Sequence, residues 1–201
     1  PIDGTKGFLR GEQYAVALAL IEDGQVVLGV LGCPNLEEGR GGMGALLVAA
    51  RGHGAFGLPL GSGGDERPVH VREITDPAQA RLTESVEAGH SDHDKASLIA
   101  RRLGVTQPGV RMDSQAKYAA VARGDADVYL RLPTRPGYRE KIWDHAAGSL
   151  VVTEAGAMVS DVDGRSLDFA RGRTLDGNRG MVVAPAAIHP AVLDAVRGAG
   201  I

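Results

Sequence analysis

YAVALALIEDGQVVLGVLGCP, residues 14–34, sets two runs rich in Val, Leu and Ala on either side of Asp23-Gly24. Asp-Gly tolerates the positive φ angles of the tightest two-residue turn, so this stretch predicts a β-hairpin. The same texture continues downstream. ALLVAARGHGAFGL, residues 45–58, predicts two more strands joined across Gly52 to Gly54, and the segment from Asn35 to Gly44 reads as a loop. GSGGDERP, residues 61–68, reads as an exposed turn, with a short strand expected at Val69 to Val71.

The pattern changes near Ala80. RLTESV predicts a strand, and SDHDKASLIARRLG predicts a helix capped by Ser91 or Asp92, striped by Leu98, Ile99 and Leu103 and ended by Gly104. A strand at Gly109 to Met112, a helix from Ser114 to Arg123 and the strand DVYLRLP follow. A helix beginning around Asp144, strands near Met158 and Met181, and a last helix at Pro190 to Arg197 complete the series. Hairpins first, then alternating strands and helices, imply an α/β (α+β) fold of helix and sheet layers. The expected organisation is one domain over residues 1–201, with a hairpin-rich sheet in 1–80 and an α/β layer in 81–201.

Of the 201 residues, 43% are hydrophobic and 23% charged, enough to bury a core. The net charge of −3, with scattered arginines, argues against nucleic acid or an anionic membrane as partner. Cys33 stands alone, so neither an internal disulfide nor a thiolate zinc framework is available, and it reads as a small buried hydrophobe. No apolar run reaches the roughly 20 residues a membrane helix needs.

Two clusters can carry chemistry. Asp3-Gly4-Thr5 places a carboxylate, a flexible joint and a hydroxyl at the entrance to a short helix, where they can serve Mg²⁺ and phosphate or simply make a capped turn. KIWDHAAG puts Asp144 at a helix start followed by small residues; the carboxylate can ligate a metal beside room for a bulky ligand, or cap the helix. Trp143 reads as packing beneath that site. Asp161 to Asp163 reads as a surface turn at Asp163-Gly164, and His93 as a helix-start residue. His53, His70, His145 and His189 lack metal-ligand spacing.

Three blocks give a closer match: PIDGTKGFLRGEQYAVALALIEDGQVVLGVLGCPNL, DSQAKYAAVARGDADVYLRLP and EKIWDHAAGSLVVTEAGAMVSDVDGRSLDFARGRTL. They resemble the Mg²⁺-dependent, lithium-sensitive phosphatase superfamily that includes inositol monophosphatase, and within it the 3′(2′),5′-bisphosphate nucleotidase family of sulfur metabolism. The resemblance implies inositol monophosphatase/fructose-1,6-bisphosphatase-like alternating layers and hydrolysis of the 3′-phosphate of adenosine 3′,5′-bisphosphate, extending to its sulfated analogue. The competing readings are an inositol phosphate phosphatase and a non-catalytic nucleotide-binding module.

By the same resemblance, Asp3 and Asp144 are metal carboxylates, and Ile2 lends a backbone carbonyl to two or more Mg²⁺ ions. Thr5 aligns the attacking water, and the Gly4 and Thr5 N–H groups hold the scissile phosphate. His90, Ser114, Lys117, Arg131 and Asp144 contact the nucleotide, the lysine and arginine facing its second phosphate. Without the resemblance, Lys117 reads as a solvated helix residue and Arg131 as an edge-strand charge. The implied partner is a small nucleotide, with neither nucleic acid nor membrane, in a soluble intracellular protein of the cytoplasm or an organelle. In that family an Asp precedes the Pro-Ile-Asp-Gly-Thr motif and an acidic segment lies upstream. A chain beginning at Pro1 is therefore expected to be a fragment with little activity and with an uncovered apolar sheet face.

Overall fold

A computed structural model describes residues 1–38, 42–61, 64–86, 93–133, 135 and 137–201. Ile2–Asp3 (β1), Ala15–Glu22 (β2), Gln25–Glu37 (β3), Met43–Ala50 (β4), Ala55–Pro59 (β5) and Arg67–Pro68 (β6) form an antiparallel six-stranded sheet in chain order. A second, mixed sheet has the order β10-β11-β9-β7-β8. Its strands are Leu82–Glu84 (β7), Val110–Arg111 (β8), Val128–Arg131 (β9), Ala157–Ser160 (β10) and Met181–Pro185 (β11). The helices are Thr5–Arg10 (α1), His93–Arg102 (α2), Ala116–Ala122 (α3), Ala146–Glu154 (α4) and His189–Gly198 (α5).

The expected hairpin forms. Glu22 pairs with Gln25, and Asp23 and Gly24 both take positive φ, 49° and 75°, the combination a tight turn between twisted strands requires. Alternation along β2 sends Ala15 and Ala17 inward and Val16, Leu18 and Leu20 outward.

Packing stacks the elements as sheet, helix pair, sheet, helix pair. The inner face of the first sheet, through Leu31, Leu47 and Ala49, packs on Tyr118 and Ala119 of α3 and on Ala147, Leu150 and Val151 of α4. Because sheets cover it on both sides, α4 is apolar all round, with Ala146 through Val152 buried. Beyond the second sheet, Val128, Leu130 and Val182 meet Ile99 of α2, Leu103 just past its end, and Val192 and Val196 of α5. Strand β9 therefore sends Val128 and Leu130 to one side, and Tyr129 and Arg131 to the other, toward α3. The alternating layers inferred from the sequence are present.

Several local expectations fail for identifiable reasons. The loop expected from Asn35 begins later, because β3 continues through Glu37, which pairs with Met43 after a register shift. Side-chain bonds keep that end extended: Gln13 donates to the Asn35 carbonyl, and Asn35 donates to the Glu12 carbonyl. Val69 to Val71 is not a strand; the Val69 N–H bonds Ala55 and the Val71 N–H bonds Ala155, so the segment leaves the first sheet for another layer. The turn expected at Asp163-Gly164 does form, closed by the Gly164 N–H on the Asp161 carbonyl, but Asp161 itself is fully buried, its carboxylate accepting from the Asp163 and Arg165 N–H groups and from the Asn178 side chain. The helix caps suggested at Ser91 and Asp92 lie outside the described residues.

The connection between the sheets is tied down by Asp127, which is wholly buried. Its carboxylate accepts from the side chains of Arg72 and Arg81 and from the Arg81 backbone N–H. Those bonds lower its pKa against the opposing effect of burial.

Candidate active-site cleft

A cleft of about 360 Å³ opens where α1, the turn before α3, β9 and the turn before α4 meet. Asp3 and Asp144, from the two ends of the sequence reading, both line it, together with Gly4, Thr5, Ser114, Lys117 and Arg131. Ile2 lies beside it in β1, paired with Val16 and with its side chain exposed. His90 lies outside the described residues.

Close backbone approach shapes the entrance. Gly4 takes φ 84°, and a Cβ there would stand 2.7 Å from Ser114 Cβ; a Cβ on Gly7 would stand 2.2 Å from the Gln13 carbonyl oxygen. Any side chain at either glycine would push the loop off the wall of the cleft. The cap of α1 is Gly4 itself, with no side-chain cap bond, so Thr5 is the first helical residue and not a cap. Ser114 is the second non-glycine residue with positive φ, 64°, and its hydroxyl accepts from the Ala116 N–H. This bent turn aims the Gln115 N–H at Asp3 Oδ2, 2.7 Å away. Arg10 of α1 pairs with the buried carboxylate of Asp113, a second fastening of the same two segments.

Asp144 sits in a short 3-10 turn over Ile142–Asp144, and His145, not Asp144, caps α4. The aspartate is thus not consumed as a helix cap. Burial raises its pKa, and the negative charge of Asp3 raises it further. A half-buried carboxylate whose ionisation is opposed by burial and by a neighbouring aspartate is a donor that a hard cation would relieve, and the oxygen-only set suits Mg²⁺. Among the described residues, no group of three or more His, Cys, Asp or Glu gathers into a cation cage.

The cationic side of the cleft overturns two of the simpler readings. Lys117 is buried, with Nζ 3.4 Å from the Met112 carbonyl oxygen and 5.4 Å from the centre of the Tyr129 ring. Burial pulls its pKa down to about 8, with Asp3 partly resisting. Arg131 lies on β9, flanked by β11 and β7, so it is no edge charge. Its Nε donates to Glu140 Oε1 at 3.0 Å.

Glu140 and His145 were not singled out as site residues from the sequence. Burial opposes ionisation of Glu140, but hydrogen bonds from His145 and Arg131 prevail and hold its pKa at about 2. His145 Nε2 lies 3.3 Å from Glu140 Oε2, and Nδ1 lies 2.8 Å from the Tyr118 hydroxyl. An ionised Glu140 accepts from Nε2–H, which leaves Nδ1 to accept from Tyr118.

The small residues after Asp144 do not leave room for a ligand. A Cβ on Gly148 would lie 2.3 Å from Tyr118 Cδ2, and one on Gly29 of β3 would lie 2.7 Å from the Ala147 carbonyl oxygen, so smallness here serves helix and sheet contact. Trp143 is not beneath the site either; it is partly exposed, with the Arg173 guanidinium 5.2 Å above its ring.

The two sheets with helix pairs between and beyond them place the chain in the class of layered α/β folds, with a polar cleft of mixed charge between the layers. The family model for the inositol monophosphatase family matches residues 1–200, and the chain belongs to that family. The chain is 50% identical to a protein of Emericella nidulans named 3′(2′),5′-bisphosphate nucleotidase, over 98% of this chain and 61% of that one. It is 52% identical to a protein of the same name from Oryza sativa, over 99% and 58%. The chain thus spans about three fifths of the length of these curated relatives. Among solved structures, an IMPase of Thermotoga maritima superposes with a TM-score of 0.75 at 26% identity, covering 100% of this chain and 67% of that one. SuhB of Mycobacterium tuberculosis, at 23% identity, shares the fold with a TM-score of 0.71, over 99% and 70%.

Proposed function

We propose that this chain forms the greater part of a phosphomonoester hydrolase that uses two or more Mg²⁺ ions to remove the 3′-phosphate of adenosine 3′,5′-bisphosphate. The observation that carries the reading is the meeting of Asp3 and Asp144 in one cleft with two cationic side chains, Lys117 and Arg131. The names of the most similar relatives support the nucleotide as substrate. The 201 residues act as a single unit in this reading.

Mg²⁺, when bound, supplies positive charge against the phosphate oxygens and acidifies the attacking water. Asp3 and Asp144 would hold it, with the Ile2 carbonyl as a further oxygen. The Thr5 hydroxyl would orient the water, and the amides of Gly4 and Thr5, which line the cleft, would donate to the scissile phosphate. Lys117 and Arg131 take the second phosphate, the arginine pre-aligned by Glu140 so that less rotamer freedom is lost on binding. The Ser114 oxygen is engaged by the Ala116 N–H, which leaves its hydroxyl proton for the nucleotide. His90 is assigned to the nucleotide on the resemblance alone.

Phosphate release from adenosine 3′,5′-bisphosphate and from inositol monophosphate, measured side by side with Mg²⁺ on the protein bearing this chain, tests the reading. The nucleotide should be preferred, and Lys117→Met or Arg131→Met should erode that preference by at least about tenfold, as loss of a charge-assisted contact implies. Preference for the inositol ester would overturn the substrate assignment. Nucleotide binding without turnover would favour the binding-module reading.

A further inference from the structure

Gln115 is 2% exposed, and its bonds reach both acid-bearing segments. Its backbone N–H donates to Asp3 Oδ2 at 2.7 Å. Its side-chain Nε2 donates to the carbonyl oxygen of Trp143, the residue before Asp144, at 3.0 Å. Its Oε1 accepts from the Gly148 N–H at 3.1 Å, in the first turn of the helix that follows Asp144. One residue therefore touches the first carboxylate directly and grips the backbone on both sides of the second.

We infer that Gln115 is a positioning residue that sets the separation between the Asp3 and Asp144 carboxylates and so tunes the cation affinity of the cleft. The inference rests on the proposed Mg²⁺ role of that pair. A buried amide whose donor and acceptor are both used has one orientation, because flipping it would set N–H against N–H and oxygen against oxygen. Filling space alone would not require it; a methionine has nearly the same shape. Asparagine keeps the amide but is one methylene too short to reach Trp143 and Gly148 together.

The test is a Mg²⁺ titration by calorimetry, with melting temperatures recorded with and without Mg²⁺. It compares the unmodified chain, Gln115→Met, Gln115→Asn and a control, Ile99→Ala, whose side chain is fully buried in the core beyond the second sheet. Both Gln115 variants should bind Mg²⁺ about 10- to 100-fold more weakly, the usual cost of losing a residue that orients a ligand. Ile99→Ala should melt earlier yet keep its Mg²⁺ affinity. Unchanged Mg²⁺ affinity in the Gln115 variants would overturn the inference, as would an equal loss in Ile99→Ala, which would reduce the effect to stability. No Mg²⁺ binding by the unmodified chain would overturn the cation reading itself, and the inference with it.

Discussion

Lys117 shows how far a single residue was legible. Its place in DSQAKY and the resemblance pointed to a phosphate contact, whereas helical spacing alone pointed to solvent; the structure buries it against Tyr129. Burial puts its pKa at about 8, below the ordinary 10.5, so across that window the unfolded chain holds more protons and stability rises with pH. Phosphate binding runs the other way, since the charge it needs is lost as pH passes about 8. Affinity for adenosine 3′,5′-bisphosphate without metal should therefore weaken above about pH 8, and Lys117→Arg, which stays charged, should move that break to higher pH. A break that persists unchanged in Lys117→Arg would contradict the assignment. Gln115 escaped the sequence reading because its partners Asp3, Trp143 and Gly148 are distant along the chain, and Glu140 and His145 because the sequence does not mark them as buried: a buried polar residue looks like any other until its hydrogen bonds are known.

At the scale of elements, Asp23-Gly24 was readable because a two-residue turn is specified by the residues inside it. The extension of β3 past Asn35 was not, since it depends on Gln13 and Asn35 bonding across chain segments. The run Ala146-Ala147-Gly148 was read as space for a ligand, and the actual tenant is Tyr118. Gly148→Ala decides between these uses. Alanine gains up to about 1 kcal/mol of helix propensity over glycine, but the added Cβ would stand 2.3 Å from a ring buried between two layers. Overpacking of that kind costs about 1–3 kcal/mol, so the clash wins. Gly148→Ala should lower the denaturant midpoint; a midpoint at or above that of the unmodified chain would show that the contact yields easily.

Across the whole molecule, the layer order followed from hairpins preceding alternating strands and helices, and the structure stacks the layers in that way. One face lacks a covering layer among the described residues: Val16, Leu18 and Leu20 of β2 are 47%, 63% and 47% exposed. Leu18 pairs across to Val30, Val30 to Val48 and Val48 to Phe56, which carries the apolar row over four strands. An apolar row that wide favours association in water. The 201-residue chain should sediment as more than a monomer, and Leu18→Lys should shift it toward monomer without altering the inner core. A strictly monomeric chain at high concentration would contradict this.

The site's assembly is also a property of the whole molecule, because Asp3 and Asp144 reach one cleft only when the first sheet, α3 and α4 are packed together. The most direct measurement is a double-mutant cycle on Mg²⁺ affinity with Asp3→Asn, Asp144→Asn and the pair. If the carboxylates hold the same cation, each single change weakens binding, and the double change costs clearly less than the sum of the two. Strictly additive losses, or a single variant with undiminished affinity, would mean that the two acids do not share a metal.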